Sequence, residues 1–163
     1  MASMRELLVF LLLTLSAVAQ SYEPVRNYDP NRNGASDLAA AQSEARRSNR
    51  NVLIEVGGQW CIWCHFLDKF FETHEEIKDL RDQYYVTVPI NYSKENKNKK
   101  LLSRFPEVAG FPHLYVLDGD GKLIQSQDTS ELEQGEGYNP EKMKEFLLKW
   151  APISKTAQSP PAS

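Results

Sequence analysis

Strands and helices alternate along this chain, which predicts an α/β fold: a central mixed sheet of about four to five strands flanked by helices. Three observations carry that reading. The apolar run Asn51-Val52-Leu53-Ile54-Glu55-Val56 stops at Gly57-Gly58, as a buried strand does. A helical stretch with Phe66, Leu67, Phe70 and Phe71 on one face follows it. Later, His113 to Leu117 runs into Asp118-Gly119-Asp120-Gly121, a strong hairpin turn, and returns as Lys122 to Gln127. A crossover-connected parallel pair followed by an antiparallel hairpin places helices on both faces of one sheet.

In order along the chain, residues 1–19 read as a signal peptide. Arg5 gives a weakly basic start, Leu7 to Leu15 is apolar, and Ala17-Val18-Ala19 supplies the small-x-small pattern before Gln20. The apolar run is too short for a bilayer span. Residues 20–34, rich in Pro, Asn, Asp and Tyr, form a lead-in without period that is expected to pack loosely. Ser36 is a good N-cap for an Ala-rich helix over 37–49. The strand at 51–56 and the helix carrying the phenylalanines come next, then a helical stretch at 75–83. Tyr84 to Asn91 is a second strand, rich in aromatic and β-branched residues.

Residues 97–105 form a helix candidate with Leu101, Leu102 and Phe105 as its stripe. After the hairpin, residues 128–139 are polar and read as a loop. Pro140 opens a last helix with Met143, Phe146, Leu147 and Trp150 facing inward. The Ser/Pro/Ala-rich tail, 152–163, is expected to be disordered. The core domain therefore spans 35–151. With 163 residues and a net charge of −3, nothing suggests a nucleic-acid partner, and the Lys94, Lys97, Lys99, Lys100 cluster reads as a solvated surface.

The chemistry lies in the only two cysteines, in Trp60-Cys61-Ile62-Trp63-Cys64-His65. A C-x-x-C pair at a helix start can close reversibly. The first thiol meets the positive end of the helix dipole, and the second lies one turn further in, within reach of a mixed disulfide. So small a loop constrains the unfolded chain little, so the pair suits a working couple better than a structural staple. The same letters admit other chemistry. C-x-x-C-H is also the attachment motif of c-type haem, with His65 as axial ligand, although small c-type cytochromes are helical. Zinc on the cysteines with His65, His74 or His113 lacks a second close-spaced ligand pair. A binding module with the cysteines permanently closed is a fourth reading.

The buried strand running into W-C-x-x-C, with Gly110-Phe111-Pro112 about fifty residues later, resembles the thioredoxin superfamily over residues 35–151, and in particular secreted bacterial thioredoxin-like domains. The resemblance implies a thioredoxin-like fold and a cis proline at Pro112 lying against the disulfide. It implies Cys61 as an exposed attacking thiolate, Cys64 as the buried resolving thiol, and Glu55, six residues before Cys61, as a buried carboxylate assisting proton transfer. Trp60, Ile62, Trp63, Phe111 and Pro112 would form the substrate surface. His65 departs from the family pattern and, four residues from Cys61, would tune the cysteines electrostatically. Ile62-Trp63 departs from the usual Gly-Pro dipeptide, which leaves the direction of electron flow to be settled, but it lacks the histidine of many oxidising relatives and so favours a reductase over a disulfide-inserting oxidase or isomerase. The expectation is an exported monomeric oxidoreductase, periplasmic or secreted. It would need no cofactor or metal, act on protein disulfides and exchange electrons with a membrane partner.

Overall fold

The structure, a computed structural model, describes residues 21–153. The expected signal peptide and all but the first two residues of the tail lie outside them. The elements are α1 (Gly34–Ser48), β1 (Asn51–Gly57), α2 (Ile62–Thr73), α3 (Glu75–Tyr84), β2 (Tyr85–Asn91), α4 (Lys99–Leu102), β3 (His113–Leu117), β4 (Leu123–Asp128), a 3-10 turn (Thr129–Leu132), β5 (Glu133–Gln134), β6 (Gly137–Tyr138) and α5 (Pro140–Lys149). Four strands form the main sheet in the order β2-β1-β3-β4. β1 pairs parallel with β2 and antiparallel with β3, and β3 pairs antiparallel with β4. The expected mixed sheet is present, with Pro89 on an edge strand, where a missing N–H is tolerated.

β1 is buried throughout because it is interior to the sheet and covered on both faces. Its two-residue period divides the core. Val52, Ile54 and Val56 pack with Leu38, Ala41 and Ala45 of α1. Leu53 points the other way, into a cluster with Leu67, Phe70 and Phe71 of α2, Ile77 of α3, and Met143, Phe146 and Leu147 of α5. By the same period Glu55 and Gly57 belong to the α2 face. Inward-facing Tyr85 donates its hydroxyl hydrogen to Leu147 O at 2.7 Å, which ties β2 to α5 without leaving a buried hydroxyl unpaired.

Four local expectations need correction. α1 begins at Gly34, because Asn33 rather than Ser36 is the cap; its Oδ1 accepts from Ala35 N at 3.0 Å and Ser36 N at 3.2 Å. The helix expected over 97–105 is one turn. Asn98, left-handed (φ 47°), donates to Asn91 O at 2.7 Å and delays the start to Lys99, and past Leu102 the backbone tightens to i→i−3 bonds from Arg104 N to Leu101 O and Phe105 N to Leu102 O. The 128–139 loop holds the 3-10 turn and the β5–β6 hairpin, whose Tyr138 enters the core. The lead-in does not pack loosely. Asn96 Nδ2 donates to Pro30 O at 3.0 Å, and Tyr28 is only 4% exposed.

Leu53 is fully buried at the centre of the α2-side core. Leu53→Ala is expected to cost about 3 kcal/mol in urea unfolding, the usual scale for such a cavity; a loss under 1 kcal/mol would mean the site collapses around the gap.

Candidate active site

The chain leaves β1 at Gly57, turns through Gly58 and Gln59, and enters α2 with Cys61 as its N-cap. Cys61 and Cys64 are joined in a disulfide with Cα atoms 5.2 Å apart. The Cys61 Sγ accepts from Cys64 N at 3.1 Å. The same first-turn amide also donates to Cys61 O at 3.1 Å, so its hydrogen is shared between the carbonyl and the sulfur. On reduction the same amide and the helix dipole would favour a thiolate at Cys61.

Cys64 is fully buried, as expected, but Cys61 is only 4% exposed rather than open. Both sulfurs lie in a cluster with Tyr28, against which Trp63 and Phe111 pack. The lead-in and the 111–112 turn come from distant parts of the sequence, so the cover over Cys61 was invisible in the motif. What stands open beside the disulfide is an apolar shelf. Trp60 is 58% and Ile62 59% exposed. Trp60 meets the ring of Phe111 edge-on at 5.4 Å, and Phe111 lies 4.8 Å from Tyr92. The Trp60 indole N–H donates to Tyr92 O at 2.7 Å, which sets the plane of the ring.

The peptide Phe111–Pro112 is cis. Pro112 is buried, and its carbonyl accepts from the Thr129 hydroxyl at 2.7 Å. Trp63 departs from the expected shelf. It is half-buried and stands edge-on to Phe66 at 5.3 Å and Tyr138 at 5.9 Å, bracing α2 against β6. His65 Nε2 lies 2.8 Å from Gln59 O, so this ring nitrogen donates and holds the turn before Cys61. His74 stacks on Phe70 at the far end of α2, and His113 Nε2 pairs with Ser126 Oγ at 2.8 Å inside the sheet. Among the described residues, no group of three or more His, Cys, Asp or Glu could hold a metal ion. The α/β sheet also departs from the helical frame of small c-type cytochromes.

Glu55 is buried at 5% exposure on the α2 face of β1, two residues before Gly57. Its Oε1 has no hydrogen-bond partner. Burial pushes its carboxyl from 4.5 up to about 7; Arg81 opposes this, while Asp68 and Asp82 add to it. A groove of about 630 Å³ reaches it, lined by Tyr28, Asp68, Phe71, Arg81 and Tyr85 among others. Glu55 thus lies at the wall of a groove that none of Trp60, Ile62 and Phe111 lines.

Sequence reasoning missed Tyr28, Asp68 and Tyr92. Asp68 had a usable signal, four residues past Cys64 on one helix face. Tyr28 and Tyr92 had none, since each reaches the site from a segment without period.

The chain belongs to the thioredoxin-like family: the family model of that description matches residues 33–119, more than half of its length. It is similar to the disulfide bond reductase DsbH of Chlamydia pneumoniae, 24% identical over 95 residues, which cover 53% of this chain and 57% of that protein. The chain thus spans less than two thirds of that relative. Among solved structures, a disulphide isomerase from Xylella fastidiosa Temecula1 superposes with a TM-score of 0.65 at 22% identity, over 75% of this chain and 94% of that one. The C-terminal domain of Neisseria meningitidis DsbD in its oxidised form gives 0.55 at 16% identity, over 77% and 99%. These likenesses establish the fold.

Two outcomes follow from the site's geometry. A folded-state Glu55 with a raised value binds its proton more tightly than the unfolded chain does. Stability from this group is therefore present below about 4.5 and is lost as pH rises through about 7. Relative to Glu55→Gln, the wild type is expected to lose up to about 3 kcal/mol between those limits; parallel stability curves for the two proteins would refute it. Gly57 matters for space: a Cβ there would collide with Cys64 Sγ and press on the Tyr28 ring. Gly57→Ala is expected to cost about 2 kcal/mol by urea unfolding, and an unchanged midpoint would contradict that contact.

Proposed function

We propose that the chain is an exported thiol–disulfide oxidoreductase that reduces disulfides of extracytoplasmic proteins. The observation that carries this is the Cys61–Cys64 disulfide at the N-terminus of α2, beside the open shelf of Trp60, Ile62 and Phe111. In the reduced protein the Cys61 thiolate attacks one sulfur of a substrate disulfide. The substrate S–S bond breaks, one substrate thiolate leaves, and a Cys61–substrate disulfide forms.

Cys64 must then lose its proton. The Glu55 carboxylate, poised at about 7, is the acceptor, directly or through a water, and the groove carries the proton to solvent. The Cys64 thiolate attacks Cys61 Sγ, releases the second substrate thiolate and restores the disulfide. Two electrons have passed to the substrate, so a membrane electron donor must reduce the pair again. Substrate binding is apolar and along the backbone: Trp60, Ile62 and Phe111 take side chains, and the segment at Pro112 offers an edge to an extended peptide. Residues 1–19 supply export as a cleaved signal peptide.

The name of the Chlamydia relative supports the reductive direction. The deciding measurement is the equilibrium of the pair in glutathione or dithiothreitol buffers. A potential near about −270 mV fits a reductase, and one near about −120 mV reverses the direction to disulfide insertion. Cys61→Ser is expected to abolish exchange with a model protein disulfide, and Cys64→Ser to accumulate mixed disulfides on non-reducing gels. Turnover by Cys61→Ser would overturn the mechanism.

A further inference from the structure

Tyr28 belongs to the lead-in, outside the cysteine motif and the sheet, yet it is among the more deeply buried aromatic residues of the described chain, at 4% exposure. Its ring shares a cluster with Cys61 and Cys64. Its position is held from both sides. Gln59, in the turn before Cys61, donates through Nε2 to Tyr28 O at 3.2 Å, and the bare α-carbon of Gly57 admits the phenol. A Cβ at Gly57 would stand 3.1 Å from Tyr28 Oη and collide with Cys64 Sγ. The hydroxyl and the resolving sulfur therefore face the same small space.

That hydroxyl has no hydrogen-bond partner. Leaving a buried O–H unpaired is costly, and a sequence free to remove it would place Phe here. A disulfide sulfur is a poor acceptor; a thiolate is a strong one. Opening the disulfide converts Cys64 Sγ into the acceptor this donor lacks. Burial above all disfavours an anionic phenol, and the charged and titratable groups facing Tyr28, Glu55 on β1, Asp68 on α2 and Tyr138 on β6, add to this, so Tyr28 stays a neutral donor.

We propose that Tyr28 is a positioning residue of the redox centre, whose hydroxyl donates a hydrogen bond to Cys64 Sγ once the disulfide opens and so stabilises the resolving thiolate. No bond to Tyr28 forms or breaks. The proton of Cys64 still passes to Glu55, and the S–S bond that forms is Cys64 to Cys61 as the substrate sulfur leaves. The inference rests on the oxidoreductase reading above.

The test is stopped-flow mixing of the reduced full chain with dithiobis-nitrobenzoate across the neutral pH range. Cys61 releases the first thionitrobenzoate on attack, and Cys64 releases the second on resolution. In Tyr28→Phe the second phase is expected to slow about tenfold at neutral pH, with its midpoint raised by about one pH unit, the size of one lost hydrogen bond to a charged group. The first phase should change less. A second phase with the wild-type midpoint overturns the proposal, even if the melting temperature falls, because a merely packing role moves stability and not the pH profile. Should Tyr28→Phe fail to fold, Gln59→Ala loosens the backbone hold on Tyr28. A smaller upward shift then supports the proposal and an unchanged midpoint overturns it. A wild type with no second phase would instead sink the oxidoreductase reading itself.

Discussion

The site depends on one contact: Cys64 Sγ resting against the bare α-carbon of Gly57, where β1 ends. β1, like β3, is paired on both sides, so its end is held firmly by its neighbours. Docking the second cysteine there fixes where α2 begins and how close its N-terminus lies to the sheet. The first cysteine then has to cap the helix, in reach of the Cys64 amide. Any side chain at residue 57 would lift the helix and separate these groups.

Burial around that contact has opposite effects on the groups beneath it. The two sulfurs lose little by leaving water, because a disulfide is apolar. Glu55 loses much and answers by holding its proton to about neutrality. The fold thus holds a carboxyl that titrates near neutrality at the wall of the groove lined by Asp68 and Arg81, which suits it to the proposed proton transfer. The apolar shelf of Trp60, Ile62 and Phe111 shares none of its residues with that groove.

The periodic parts of the chain were legible in the sequence. β1, β3 and the hairpin turn announced themselves through apolar runs and Asp-Gly pairs, and the inward face of α2 followed from its spacing. What misled were asparagines. Asn33 caps α1 three residues before Ser36, and Asn98, left-handed and bonded to Asn91 O, delays the start of α4 to Lys99. Asparagine side chains compete with the backbone for partners, and the winner depends on neighbours that a linear pattern does not show.

The sequence alone determined the motif, the order of the main-sheet strands and their flanking helices, and the placement of Glu55 within a buried strand, because each is a local or periodic property of consecutive residues. Only the tertiary structure decided that Cys61 is covered, that Trp63 turns to Tyr138 and not to the shelf, and that Tyr28 lies over the disulfide. The reason is physical. Tyr28, Tyr138 and Phe111 come from segments with no period of their own: Tyr28 fills the space that bare Gly57 leaves, Phe111 packs on Trp60 and Tyr92, and Tyr138 packs on Trp63 and Phe70.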